Sequence, residues 1–120
     1  MKKKTLVLGA SLKPNRYSHY AIQRLVSHKF ETLAIGLRSG EVSGVTVDTT
    51  LKGFEDIDTV TIYLNPKNQV PYYDYIVSLK PERVIFNPGT ENPELYKILR
   101  EHHIEFETAC TLVLLSTNQY

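Results

Sequence analysis

The residues best suited to chemistry stand near the start of the chain, in Gly9-Ala10-Ser11-Leu12-Lys13-Pro14-Asn15-Arg16-Tyr17-Ser18. A glycine directly after a short apolar run lets a ligand approach the backbone closely. Ser11 and Ser18 offer hydroxyls. A helix starting near Tyr17 offers unbonded N–H groups and the positive end of its dipole. A strand–loop–helix junction of this kind suits a phosphate. Lys13 and Arg16 add positive charge, and Arg16 can grip a phosphate with two hydrogen bonds. The dinucleotide fingerprint G-x-G-x-x-G is absent, because Gly9 alone of its three glycines is present. The same segment also suits a plainer role, a turn that needs Gly9 for geometry and Ser18 as helix N-cap. The motif alone does not choose between the two.

A second signal lies after the next apolar run. NAD-binding folds place Asp or Glu there for the ribose 2′-hydroxyl. This chain has Leu37 and Arg38, with no acid until Glu41. A basic side chain suits a ligand with an extra ribose phosphate, such as NADP or coenzyme A; a solvated surface arginine is the plain alternative. Two further loops, Leu64-Asn65-Pro66-Lys67 and Asn87-Pro88-Gly89-Thr90-Glu91, also follow apolar runs. Other chemistry finds little support. The adjacent His102 and His103 cannot both face one metal from a helix end, and no zinc-type spacing appears, so no metal is expected. Cys110 has no base partner assignable from sequence and reads as a small buried hydrophobe.

The elements that must position these loops alternate in type. Thr5 to Gly9, Thr32 to Leu37, Thr59 to Leu64 and Arg83 to Phe86 are short apolar or β-branched runs, as buried parallel strands are. Between and after them, helices are expected from about Tyr17 to His28, with Tyr20, Ala21, Leu25 and His28 at helical spacing; from Asn68 to Leu79, with Val70, Tyr73, Ile76 and Val77 on one stripe; and from Asn92 or Pro93 to His102, with Leu95, Ile98 and Leu99 inward. Of Tyr72, Tyr73 and Tyr75, at least one is expected in the core and another exposed. Ile104-Glu105-Phe106-Glu107 alternates as an edge strand does. The link from Leu37 to Val45 is too short for a crossover helix, so Val45-Thr46-Val47 is expected as a short edge strand antiparallel to its neighbour. Leu51 to Ile57 is expected to make a turn or one helical turn. The apolar run Cys110 to Leu115 must pack against the domain or a partner chain. Together these predict a three-layer α/β sandwich with a mostly parallel sheet of five to six strands.

Composition sets the outer bounds. A chain of 120 residues with 42% hydrophobic content suits one domain with a true core. Fourteen Lys+Arg against 13 Asp+Glu leave a net charge of +1, which gives no broad surface for nucleic acid. One cysteine excludes an internal disulfide framework. No run approaches the length of a membrane span, and the apolar segment after Met1-Lys2-Lys3-Lys4 is too short for a signal peptide, so a cytoplasmic location is expected.

Val7-Leu8-Gly9-Ala10-Ser11-x-Lys13-Pro14-x-Arg16-Tyr17-Ser18 resembles the opening motif of the CoA-binding domain family, small Rossmann-like proteins similar to the nucleotide-binding domain of the succinyl-CoA ligase α-subunit. The resemblance spans essentially the whole chain, continuing through Asp58-Thr59-Val60 and the segment Val84 to Asn92, and ending at Cys110. It implies one Rossmann-like domain over residues 1–120 and a coenzyme A or acyl-CoA ligand. The pyrophosphate would lie at Gly9, Ala10 and Ser11 and around Ser18, with Lys13, Arg16 and Tyr17 beside it. The 3′-phosphate end would lie near Arg38, and Leu64, Asn65, Pro66, Asn87, Pro88 and Gly89 would line the rest. The chain departs from the family pattern at Gly36-Leu37-Arg38, where members often carry Val-Asn-Pro, and at Phe86-Asn87-Pro88, where many carry Trp and Gln. The ligase draws its phosphorylated histidine from another domain, so its activity does not carry over, and no catalytic residue is expected. An NADP-dependent oxidoreductase and a regulatory protein with a degenerate cleft are the competing readings. Self-association or a partner subunit is compatible with each.

Overall fold

The computed structural model describes residues 3–120. Seven strands form one sheet: β1 Thr5–Ala10, β2 Thr32–Gly36, β3 Gly40–Val42, β4 Val45–Asp48, β5 Thr59–Ile62, β6 Arg83–Phe86 and β7 Glu105–Thr108, in the order β3-β4-β2-β1-β5-β6-β7. Every neighbouring pair is parallel except β3 with β4. The helices are α1 Tyr17–Ser27, α2 Pro66–Gln69, α3 Tyr73–Leu79, α4 Pro93–Glu101 and α5 Thr111–Ser116. The architecture is Rossmann-like. From β1 the chain moves outward to β2 and β4 on one side, then returns to β5 on the other. The switch in direction opens a crevice at the carboxyl end of β1.

The two faces follow from the alternation of the strands. Leu6 and Leu8 of β1 point to one side, where they meet Val60, Ile62, Val84 and Phe86 under α3 and α4. Val7 points to the other, toward Ala34, Ile85, Ile22 and Leu25 of α1, and Leu115 of α5. Phe86 packs edge-on against Tyr96 and Phe106, with centroids 4.7 and 5.9 Å away. At the opposite end of the sheet from the crevice, the Tyr120 ring lies 4.9 Å from that of Phe30 and beneath the Arg83 guanidinium at 4.5 Å. Its hydroxyl shares a hydrogen bond with Thr5, and Lys3 Nζ donates to its carbonyl. Burial pushes this phenol above its ordinary pKa, against the opposing hydrogen bond from Thr5.

Several expectations need correction. The sheet has seven strands, because Gly40–Val42 forms an additional one. β4 is parallel to β2; its antiparallel neighbour is β3, which takes the edge. Ser43 and Gly44, at φ 50° and 82°, join the pair as a two-residue hairpin, the geometry that suits the twist of adjacent strands. No helical turn forms between Leu51 and Ile57. The helix expected over Asn68–Leu79 divides into α2, a 3₁₀ turn at Val70–Tyr72 and α3, because Pro66 can start a helix but Pro71 cannot continue one. The phase restarts at Tyr73, so Tyr75, Ile76 and Leu79 face inward while Val70 is exposed. Tyr72 and Tyr73 are both half-buried. In α1, Tyr20 points outward and Ile22 takes the inner position beside Ala21 and Leu25. The run after Cys110 is a helix that packs on this chain's own α1, with Leu115 buried and Val113 exposed.

Candidate ligand cleft

The bottom of the crevice is made by close backbone approach. β1 bulges at Gly9, between the Leu8–Ile35 and Ala10–Gly36 pairs. Gly9 has φ +93°, and a Cβ there would stand 2.9 Å from Leu64 Cγ and 3.1 Å from the Tyr63 carbonyl carbon. A Cβ on Gly36 would lie 2.2 Å from the Ala10 carbonyl oxygen. Both glycines are thus demanded by the packing of β1 between β2 and β5. The same packing leaves the first loop open above them.

A cleft of about 710 Å³ occupies this mouth. That volume falls within the range of about 300–1,000 Å³ usual for small-molecule sites. One side is the first loop and the start of α1: Gly9, Ala10, Ser11, Leu12, Lys13, Arg16, Tyr17 and Ser18. Gly36, Leu37 and Arg38 close one end. The far wall is built from Tyr63, Leu64, Asn65, Asn68 and Tyr72 after β5, with Pro88, Gly89 and Thr90 after β6. A separate shallow groove at Arg100 to Phe106 lies beside the edge strand, away from every strand-end loop.

Electrostatically the cleft has one sign. Lys13, Arg16 and Arg38 line it, and no Asp or Glu does. Among the described residues the ion pairs involve Lys4, Lys52 and Arg83, so the three cleft cations have no carboxylate partner. α1 adds to the field. Its N-cap is Arg16, not Ser18; no side chain caps it and no acid stands in its first turn. The N–H groups of His19 and Tyr20 already bond the Arg16 carbonyl, which leaves those of Tyr17 and Ser18. Ser18 is buried at the second position of the helix and lines the cleft. Ser11 Oγ accepts the Lys13 N–H at 3.1 Å, and His19 Nδ1 lies 3.1 Å from the Ser11 carbonyl, tying the loop to the helix.

The far wall is a polar scaffold. Asn87-Pro88-Gly89-Thr90 is a tight turn with Gly89 at φ +91° and the Thr90 N–H donating to the Asn87 carbonyl at 3.0 Å. Glu91 stays out of the lining, its carboxylate accepting the N–H of the lining residue Gly89 at 2.8 Å. Asn87 lies beneath the lining. It donates to Thr61 Oγ1 and the Ile62 carbonyl and accepts from the Thr111 N–H, joining β5, β6 and α5. Pro66 likewise stays out of the lining and opens α2, which Asn65 caps by accepting the Asn68 N–H. The other twelve sequence-predicted residues share the cleft. Leu12, Gly36, Leu37, Tyr63, Asn68, Tyr72 and Thr90 join them without having been assigned a contact from sequence. The end of the second apolar run is the available signal for Leu37, whereas Tyr63 falls inside the third run and only the end of β5 at Ile62 sets it in the loop.

Tyr63 is the one lining group with a strongly displaced ionisation. Burial pushes its phenol far above the ordinary value, and the neighbouring Thr111 hydroxyl offsets this only in part. Its oxygen makes no hydrogen bond of normal geometry. Cys110, half-buried at the N-cap of α5, stands near it. No group of three or more His, Cys, Asp or Glu side chains gathers as a metal site among the described residues. No helix of the described residues is long and apolar enough to cross a membrane.

Fold and cleft together define a class: an α/β domain that presents an uncapped helix end and unpaired cations at its topological switch point. The chain belongs to the CoA binding domain family, whose model matches residues 3–116. A crystal structure of an uncharacterized protein is similar to it at 52% identity, covering 100% of this chain and 99% of the other, with a TM-score of 0.96. A protein described as cell-free ID.343 from Thermus thermophilus shares the fold at 23% identity and TM-score 0.88, covering 99% of this chain and 91% of its own. The dinucleotide-forming acetyl-coenzyme A synthetase 1 of Ca. Korarchaeum cryptofilum contains the same fold at 14% identity and TM-score 0.72, matching 88% of this chain and 25% of its own length. No curated protein matches the chain.

Proposed function

We propose that this chain binds coenzyme A or an acyl-CoA in the switch-point cleft and holds it without transforming it. One observation carries the reading. Three unpaired cations and an uncapped helix N-terminus converge on a cleft whose lining has no carboxylate. An anionic ester fits that field, and family membership selects coenzyme A among anionic esters. The pyrophosphate sits over Gly9, Ala10 and Ser11, facing the Tyr17 and Ser18 N–H groups, with Lys13 and Arg16 beside it. Arg38 takes the ribose 3′-phosphate. Leu64, Asn65, Pro88 and Gly89 line the pantetheine arm, while Pro66 and Asn87 set the shape of those loops from behind.

The non-catalytic part of the reading rests on the donor set. The lining offers no histidine, thiol or carboxylate to move a proton, and the Tyr63 phenol is held neutral by burial. The domain acts inside the cell, where its ligand is made. NADP also carries a ribose phosphate, and Arg38 would serve it equally well. Titration with coenzyme A, dephospho-CoA and NADP separates these readings. Preference for coenzyme A over dephospho-CoA supports the 3′-phosphate contact. Binding of NADP with no response to coenzyme A overturns the assignment, and so does silence toward all three.

A further inference from the structure

The far wall of the cleft comes from two loops that are distant in sequence, and one side chain joins them. Gln69, at the end of α2, is fully buried although its neighbours Asn68 and Val70 are exposed. Its Nε2 donates to the Leu64 carbonyl after β5 and to the Thr90 carbonyl after β6, both at 2.8 Å. Its Oε1 accepts from Asn92 Nδ2 at 2.9 Å. Asn92 Nδ2 also donates to the Tyr73 hydroxyl at 2.8 Å, and that hydroxyl donates to Glu94 at 2.9 Å. A buried carbonyl left without a donor costs free energy, so the amide favours the arrangement in which both loops reach it.

We propose that Gln69 is a positioning residue for the ligand: it locks the β5 loop and the β6 loop into one jaw and sets that jaw's distance from the cation-bearing loop opposite. The inference rests on the coenzyme A reading for its ligand but not for its mechanics. Leu64 and Thr90 line the cleft themselves, so the two carbonyls that Gln69 holds belong to residues on the ligand's path. Gln69 does not touch the cleft and acts through them.

The chemistry of the amide supplies a test that a merely stabilising residue would not pass. Both Nε2 partners are acceptors, so Gln69→Glu in its ionised form sets oxygen against two carbonyl oxygens. Protonated, the same carboxyl recovers one donor. The Glu variant should therefore bind coenzyme A about tenfold more weakly than wild type at pH 8. The deficit, taken as a ratio to wild type at each pH, should shrink toward pH 5. Amide hydrogen exchange without ligand should show residues 64–68 and 89–92 loosening together at pH 8 and tightening together at pH 5. Where the Glu variant fails to fold, Tyr73→Phe removes only the two outer bonds of the chain, to Asn92 and Glu94, and should weaken binding about two- to threefold. A lowered melting temperature with an unchanged, pH-independent binding ratio would overturn the positioning role. Loosening confined to one loop would overturn the shared jaw. If wild type binds no coenzyme A, the ligand reading fails, and exchange alone decides whether Gln69 joins the loops.

Discussion

Replacing Arg16 by alanine separates binding from folding. The Arg16 side chain is exposed, pairs with no carboxylate and caps nothing; only its backbone serves as the N-cap of α1. Its removal should therefore shift stability by no more than about 0.5 kcal/mol. Toward an anionic ligand the same side chain offers charge-assisted hydrogen bonds worth about 1.5–3 kcal/mol. At about 1.4 kcal/mol per decade, that is a loss of about 10- to 150-fold in coenzyme A affinity. Lysine at this position should recover part of the loss, since it restores the charge but not the planar fork. Calorimetric titration at low and high salt, with melting curves on the same samples, reads both quantities. Salt should weaken wild-type binding more steeply than that of the variant, because screening acts on a charge the variant lacks. An unchanged dissociation constant would refute the phosphate cradle. A fall in melting temperature matching the loss of binding would mean that Arg16 serves the fold.

Arg38→Ala should abolish any preference for coenzyme A over dephospho-CoA while leaving dephospho-CoA affinity unchanged, as competition binding would show. Gly36→Ala should destabilise the fold by about 3 kcal/mol in urea unfolding, because its Cβ would collide with the Ala10 carbonyl and part β1 from β2. Tyr120→Ala should cost about 3 kcal/mol by the same measurement, removing a buried ring that packs on Phe30 and Arg83. Burial pushes the Tyr75 phenol up to about 12, and the Tyr63, Tyr73 and Tyr120 phenols are raised as well. A raised folded-state value means that the native state holds protons the unfolded chain releases above about pH 10. Stability should thus be insensitive to these groups below pH 10 and fall as pH rises from about 10 toward 12. Tyr75→Phe should flatten part of that slope in pH-resolved denaturation.

Local patterns carried much of this molecule. Short apolar or β-branched runs marked β1, β2, β5 and β6, because a strand buried on both faces carries few polar side chains and those must find partners, as Thr61 does. The period of Ile104 to Glu107 marked an edge, and β7 lies there with Phe106 turned toward Phe86 and Tyr96. Ser43-Gly44 is a legible hairpin signal, but β3 before it is only three residues long and two of them, Gly40 and Glu41, are poor strand formers. Twelve of the fourteen candidate residues line one cleft because strand ends in a parallel sheet share an edge.

Other features depended on parts of the chain that only folding brings together. Gly9 and Gly36 are needed for the approach of Leu64 and Ala10, neither of which a local window pairs with its glycine. Asn87 is a bridge among β5, β6 and α5, and its partner Thr111 lies far along the chain. Gln69 looks like a surface residue of a polar helix, yet it is buried between two carbonyls. The sequence by itself set the alternation of the main strands and helices and the charge of the first loop, since propensity and side-chain chemistry are local. The tertiary structure alone decided which polar groups were left without partners at the cleft, because hydrogen-bond satisfaction is a property of the whole packed molecule.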